Sequence, residues 1–428
     1  MKPHVPFDLV ATSLLLFALM TPGMSYGQTS SAAQSSSSSA APDRKNLDLT
    51  GRMPHGKTFF GETETGVITT VVGDQPCSSF AKSCVGGVGG DGGPAGRALL
   101  QGPSGLFISG SGDLLIVDSL SHRIKQVDHT TGTIITVAGN NHCYQNRCDG
   151  FFSGDGGPAT TAELNNPRAV AADADGNIFF SDTNNNRVRR IDKKTGVIST
   201  VAGTVRGFSG DGGPATKAEL NIPWGIALDA SGNVFVADSG NGRVRRIDHS
   251  TGLITTVAGR GWGVSSGDGG PAISAGVLQP LGLDIDDTGN LFICGDRRVR
   301  RVDAKTGIIS TIAGGNGQDF GGDGGLAVKA ELRSAEAISV DHAGNVFVTD
   351  SGNHRVRRVD HVTGIITTVV GNGQQGYKGD GGPATSAEVS LLFGLAVDDA
   401  GNLFIADANN NRIRRVQMAT AKKSAEKQ

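Results

Sequence analysis

One phrase written six times constrains this 428-residue chain more than any other feature. The hexapeptide GDGGPA stands at 90–95, 154–159, 210–215, 267–272 and 379–384, with GDGGLA at 322–327. A second phrase, TGVITTVVG at 65–73, returns at 131–139, 195–203, 251–259, 306–314 and 363–371. A third, GNVFVADSGNGRVRRID at 232–248, recurs from Gly112, Gly176, Gly289, Gly344 and Gly401. The copies follow one another about every 56 residues, the first interval being longer because of an insertion. Such a chain folds as six copies of one supersecondary unit, none able to bury its apolar face alone.

Each unit holds four short runs rich in Val, Ile and Phe. In the third unit they are GIALD (225–229), NVFVAD (233–238), RVRRID (243–248) and LITTVAG (253–259), parted by the turn residues ASG, SGNG and HSTG. Four strands joined by tight turns predict an antiparallel meander. Six meanders around an axis predict an all-β, six-bladed β-propeller. The ends agree with a ring. The repeat region opens on the fourth-strand phrase (65–73) and closes on a third strand, NNRIRRV (410–416). The N-terminal strand must therefore complete the last blade, which removes two sheet edges.

The pattern P-x-G-I-A-L-D-x-x-G-N-x-F-V-A-D-S-G-N-x-R-V-R-R-I resembles the NHL repeat, and the chain spells Asn353-His354-Arg355-Val356. The resemblance covers residues 63–417. It implies the propeller fold and leaves function open, since NHL propellers include binding scaffolds, extracellular sensors and metal-dependent lyases.

Outside the repeats, Lys2 and His4 precede an apolar run from Leu9 to Met20, with small residues Ser25 and Gly27 after it. Residues 1–27 read as a signal peptide cleaved near Gln28, with an uncleaved signal anchor as the alternative. This predicts a secreted or periplasmic protein with no membrane span in the mature chain. Residues 28–62 open on a Ser/Ala-rich stretch and read as a linker, and 418–428 as a charged tail. A formal net charge of −2 argues against a nucleic-acid binder. A monomer is expected.

In each blade GDGGPA and the strand-two-to-three turn should share one face. Six near-identical copies argue for a structural turn rather than a site, with calcium ligation by Asp155, Asp211 and Asp380 as the alternative. Asp182/Arg187, Asp238/Arg243, Asp350/Arg355 and Asp407/Arg412, five residues apart, are expected to pair across that turn. The Arg-Arg doublets, such as Arg189-Arg190 and Arg245-Arg246, are expected around the rim. Blade four lacks two residues here, and Gly295 replaces the aspartate, predicting a short upper loop.

Function in a ring of repeats belongs where the copies disagree. The residue before the Gly/Ala of strand one is Ser104, Arg168, Trp224, Leu281, Glu336 and Phe393 in turn. These six should ring the channel mouth on the GDGGPA face. A second variable set comprises Gln101, Asn165, Asn221, Leu278, Arg333 and Ser390. An aromatic pair with amides and both charges has the composition of a ligand pocket. The other reading is a Trp plug with an Arg168–Glu336 ion pair. Trp262, in GRGWGVSSGDGG, is a further candidate.

Cys77 with Cys84 and Cys143 with Cys148 are expected as two short-range disulfides in neighbouring loops, and Cys294 as a buried thiol. The lyases of this family use histidines converging on the channel, but here no histidine holds a mouth position. A gluconolactonase-like calcium enzyme would draw on Glu336 with Asn221 or Asn165. The function expected is a non-enzymatic binding scaffold for a protein, peptide or glycan, needing no cofactor. The alternative is a calcium-dependent hydrolase or lyase at the central channel.

Overall fold

A computed structural model describes residues 66–73, 89–140, 151–315, 317 and 319–417. It is all-β, with six four-stranded antiparallel sheets. In blade three the strands are Pro223–Leu228, Val234–Asp238, Arg243–Ile247 and Ile254–Ala258, hydrogen-bonded in that order. The other blades repeat this meander. Strand one is shorter in blades two (Val170–Ala172) and four (Leu283–Ile285).

The ring closes as expected. Ile68–Val72 pairs antiparallel with Arg412–Gln417, the third strand of blade six, with Ile68 opposite Val416. Six apolar clusters lie one at each junction between neighbouring blades. One of them joins Phe404 and Ile413 of blade six to Leu106 and Ile116 of blade one. The core is thus a cycle of interfaces rather than a single centre.

The GDGG turn seals an edge. Having left one blade's fourth strand, the chain crosses the outer edge of the next blade before running inward. There the Gly212 N–H donates to the Ile254 carbonyl (2.8 Å), and Ile254 N–H donates back to Gly213 (3.0 Å). The same exchange recurs at Gly92/Ile134, Gly156/Ile198, Gly269/Ile309 and Gly324/Ile366, and across the closure at Gly381/Ile68. Fourth strands that would otherwise be open edges are covered by backbone. Each turn's aspartate also pairs with a cation on strand three of the blade it covers. Examples are Asp155–Arg189 (2.8 Å), Asp211–Arg245 (2.9 Å) and Asp380–Arg414 (2.6 Å), with Asp91–Lys125 (2.6 Å) in blade one.

Two expectations need correction here. The first arginine of each doublet is not on the rim: Arg189, Arg245, Arg357 and Arg414 are fully buried. The aspartate ending strand two pairs with that arginine, seven residues on, and not with the one five residues on. Asp182 lies 3.2 Å from Arg189, and Asp238 lies 3.4 Å from Arg245. Asp182 and Arg187 do stand opposite each other in the ladder. The Arg187 guanidinium, however, donates to the Asn185 carbonyl (2.8 Å) and stacks on Phe152 (3.8 Å). A buried carboxylate takes the buried cation because neither has water as an alternative. Phe208 and Phe320 stack likewise on Arg243 and Arg355, each at 3.8 Å. Blade four's upper loop is short as expected: Asp296 and Arg297 both have positive φ (46° and 58°), a tight two-residue hairpin turn.

Candidate functional site

A ladder of hydroxyls holds the approach to four of the first strands. In these four cases the residue after the strand-two aspartate donates to a carbonyl at or just before the start of the next blade's first strand. Ser119 reaches Pro167 (2.6 Å), Thr183 reaches Pro223 (2.7 Å), Ser239 reaches Pro280, and Ser351 reaches Leu392 (2.7 Å). Two further hydroxyls hold the next residue along: Ser104 donates to the Arg168 carbonyl (3.0 Å) and Ser181 to that of Trp224 (2.7 Å). Beyond the mouth residues of blades one, three, four and six, a glycine brings the first strand close against the backbone of the next blade. A Cβ added to Gly105 would come within 2.7 Å of the Ala169 Cα, and one on Gly282 within 3.0 Å of the Ala337 Cα. The mouth side chains therefore project from a tightly drawn inner ring.

Three of them meet. The Arg168 guanidinium, from blade two, lies 4.5 Å from the Trp224 ring centroid of blade three and 5.7 Å from that of Phe393 in blade six. Phe393 is two blades away in the ring. The intervening blade contributes only Ser104, buried against Ser119 Oγ (2.6 Å), and so leaves room for the guanidinium to cross. The Arg168 Nε is buried without a hydrogen-bond partner. Among the described residues no side-chain or backbone oxygen accepts from this guanidinium. Burial lowers its pKa to about 10, a shift partly opposed by the charge of Glu336. It remains a cation at neutral pH.

Glu336, from blade five, accepts from Ser334 Oγ (2.6 Å). Burial pushes its carboxyl above the usual range, against the lowering effects of Ser334 and Arg168. The two charges feel each other, yet the expected Arg168–Glu336 ion pair is not among the contacts within 4.0 Å. Leu281 is half-buried, its N–H donating to the Cys294 carbonyl (2.8 Å).

The second variable set sits apart from this cluster. The backbone N–H groups of Gln101, Asn165, Asn221, Arg333 and Ser390 donate to the strand-two aspartates, at 2.6 to 2.9 Å. Their side chains lie over the strand-two-to-three turns. Asn221 Nδ2 reaches the Gly240 carbonyl (2.9 Å), Asn165 Oδ1 meets Asn184 (3.2 Å), and the Arg333 methylenes cover Gly352. Leu278 is half-buried in the blade that lacks such an aspartate. Trp262 is 51% exposed in its loop.

Asp284 was missed by the sequence comparison, which stopped at one variable position per strand. It stands where blades two, three and six carry Ala171, Ala227 and Ala396. Its carboxylate accepts from the N–H of Ile285 (2.8 Å) and, across the blade junction, of Val340 (2.7 Å). Burial pushes its pKa up to about 6.

Among the described residues no group of three or more His, Cys, Asp or Glu side chains is arranged to hold a metal ion. Asp155, Asp211 and Asp380 are engaged with buried arginines. Cys294 is buried, and burial raises its thiol pKa. Cys77, Cys84, Cys143 and Cys148 lie outside the described residues, as do the signal, linker and tail segments. No helix among the described residues is long and apolar enough to cross a membrane.

Residues 145–209 match the profile of the teneurin NHL domain, and residues 220–247 that of the NHL repeat. The chain is 28% identical over 270 residues to the protein SUPPRESSOR OF QUENCHING 1, chloroplastic, of Arabidopsis thaliana, covering 60% of this chain and 25% of that protein. It is 27% identical over 342 residues to NHL repeat-containing protein 2 of Bos taurus, covering 72% and 45%. The chain thus spans less than half the length of either relative. Among solved structures it is similar to an auxiliary nutrient-binding protein of Bacteroides thetaiotaomicron. The TM-score is 0.56 and the identity 18%, over 82% of this chain and 75% of the other, a likeness of fold.

Proposed function

From the repeat matches and the six-bladed ring, which together support an NHL-repeat β-propeller, we infer an exported, non-enzymatic binding scaffold. Its ligand, a protein, peptide or glycan, seats on the face where the channel mouth and the GDGGPA turns lie. One observation carries this reading. Three side chains drawn from the position where the repeats disagree converge from blades two, three and six onto one another. The GDGGPA aspartates and doublet arginines have structural partners, so the repeated motif is accounted for without a ligand. A nutrient-binding protein with a similar fold agrees with a binding role.

A thermal-shift screen of residues 28–428 against glycans, peptides, calcium and a chelator tests the reading. A hit should lose its effect in a Trp224→Ala/Phe393→Ala double variant whose own unfolding stays cooperative. Full affinity in that variant removes the mouth from consideration. Turnover abolished by chelator would replace the scaffold with the calcium-dependent enzyme.

A further inference from the structure

We propose that Arg168 at the channel mouth is the receptor for a single carboxylate group, presented by a small acid or a chain end that enters along the ring axis. The inference rests on the mouth-site reading above and names the chemistry that the site takes.

The geometry leaves the guanidinium few options. Trp224 and Phe393 flank it at 4.5 and 5.7 Å, and both are apolar faces that offer it no hydrogen-bond acceptor. Its planar fork of N–H donors has no acceptor among the described residues. A planar carboxylate meets such a fork with two parallel hydrogen bonds in its own plane. The Nε is buried with its hydrogen bond unmade, which is costly, and an incoming anion relieves that cost. The hydroxyls of Ser104 and Ser181 clamp the backbone carbonyls of Arg168 and Trp224, so the backbone that carries the receptor is fixed before a ligand arrives. Among the six mouth positions Arg168 is the one cation. A dianion would also face the nearby Glu336 carboxyl, which favours a ligand of one negative charge. An ionised Glu336 would oppose any anion bound at Arg168.

The test uses two matched pairs of probes: N-acetyl-glycyl-alanine with its C-terminal amide, and glucuronate with glucose. Binding is read by Trp224 fluorescence in a Trp262→Phe background and by the melting temperature. At least one acid should bind, and its neutral partner should bind about 10- to 100-fold more weakly or not at all. The pair that responds tells a peptide terminus from an acidic sugar. Arg168→Gln should abolish the preference and Arg168→Lys restore only part of it, while Glu336→Gln should tighten the acid. Equal binding of acid and neutral partner, or no response to either acid, overturns the proposal. So does a preference that survives Arg168→Gln in a protein that still melts cooperatively. Screen hits that depend on Trp224 and Phe393 without any charge preference would leave the mouth site standing and remove only the carboxylate.

Discussion

Asp284 shows what a single substitution does to a repeated architecture. Three blades carry alanine at its position, and in blade four the carboxyl is held by two backbone donors with no cation against it among the described residues. In the unfolded chain it ionises near 3.8, and in the fold near 6. Below pH 4 both states keep the proton and nothing is lost. Between pH 4 and 6 the unfolded chain releases a proton that the fold retains, so stability falls as pH rises. Above pH 6 the loss is complete, at most about 3 kcal/mol. Asp284→Ala should therefore flatten the stability profile between pH 4 and 6 and gain most at neutral pH. Urea unfolding at several pH values checks this; an unchanged slope would show that the carboxyl ionises normally. The residue scale is also where sequence reading fell short. Comparing aligned positions found Arg168, Trp224 and Phe393, because disagreement between repeats is visible in one chain. It could not show that Arg168 reaches across blade one to Phe393, which depends on how small and how buried Ser104 is. Nor could a spacing of five distinguish Arg187 from Arg189 as the partner of Asp182, since the choice is made by burial.

At the scale of the element, the GDGG turn joins three tasks: covering an edge, supplying an anion and making a close turn. Gly210 has φ +88°, and a Cβ there would stand 2.8 Å from the Ala218 Cα, whereas one on Gly212, at φ +80°, would meet nothing within 4 Å. Gly210→Ala should cost about 2–4 kcal/mol, from backbone strain plus overlap, and Gly212→Ala about 1–2 kcal/mol from strain alone. Chemical unfolding of the two variants side by side measures the difference, and equal losses would mean that the close approach contributes nothing. The turn's structural character was legible because it is repeated. Its partner was not, since the buried arginine lies 34 residues away on strand three.

For the whole molecule, nearly all of the fold was legible, because six copies of one phrase and an offset at the ends specify a closed ring. The closure also carries a prediction. Removing residues 66–73 would uncover the third strand of blade six and leave the Gly381 turn without Ile68. The truncated chain should lose cooperative unfolding and associate through the opened edge, as seen by light scattering. A truncated ring that stays monomeric with an unchanged melting temperature would show that the junction between blades six and one holds without its fourth strand.

That closure imposes an order on the life of the chain. Ile68–Val72, the first of the described strands to be made, has as its partner Arg412–Gln417, the last of them. During synthesis the middle blades can form meanders as they emerge, but the cycle of six interfaces stays broken until residue 417 is available. The last of the six interfaces, and the stability it adds, can come only in that late event, and until then Ile68–Val72 waits without the partner it has in the ring.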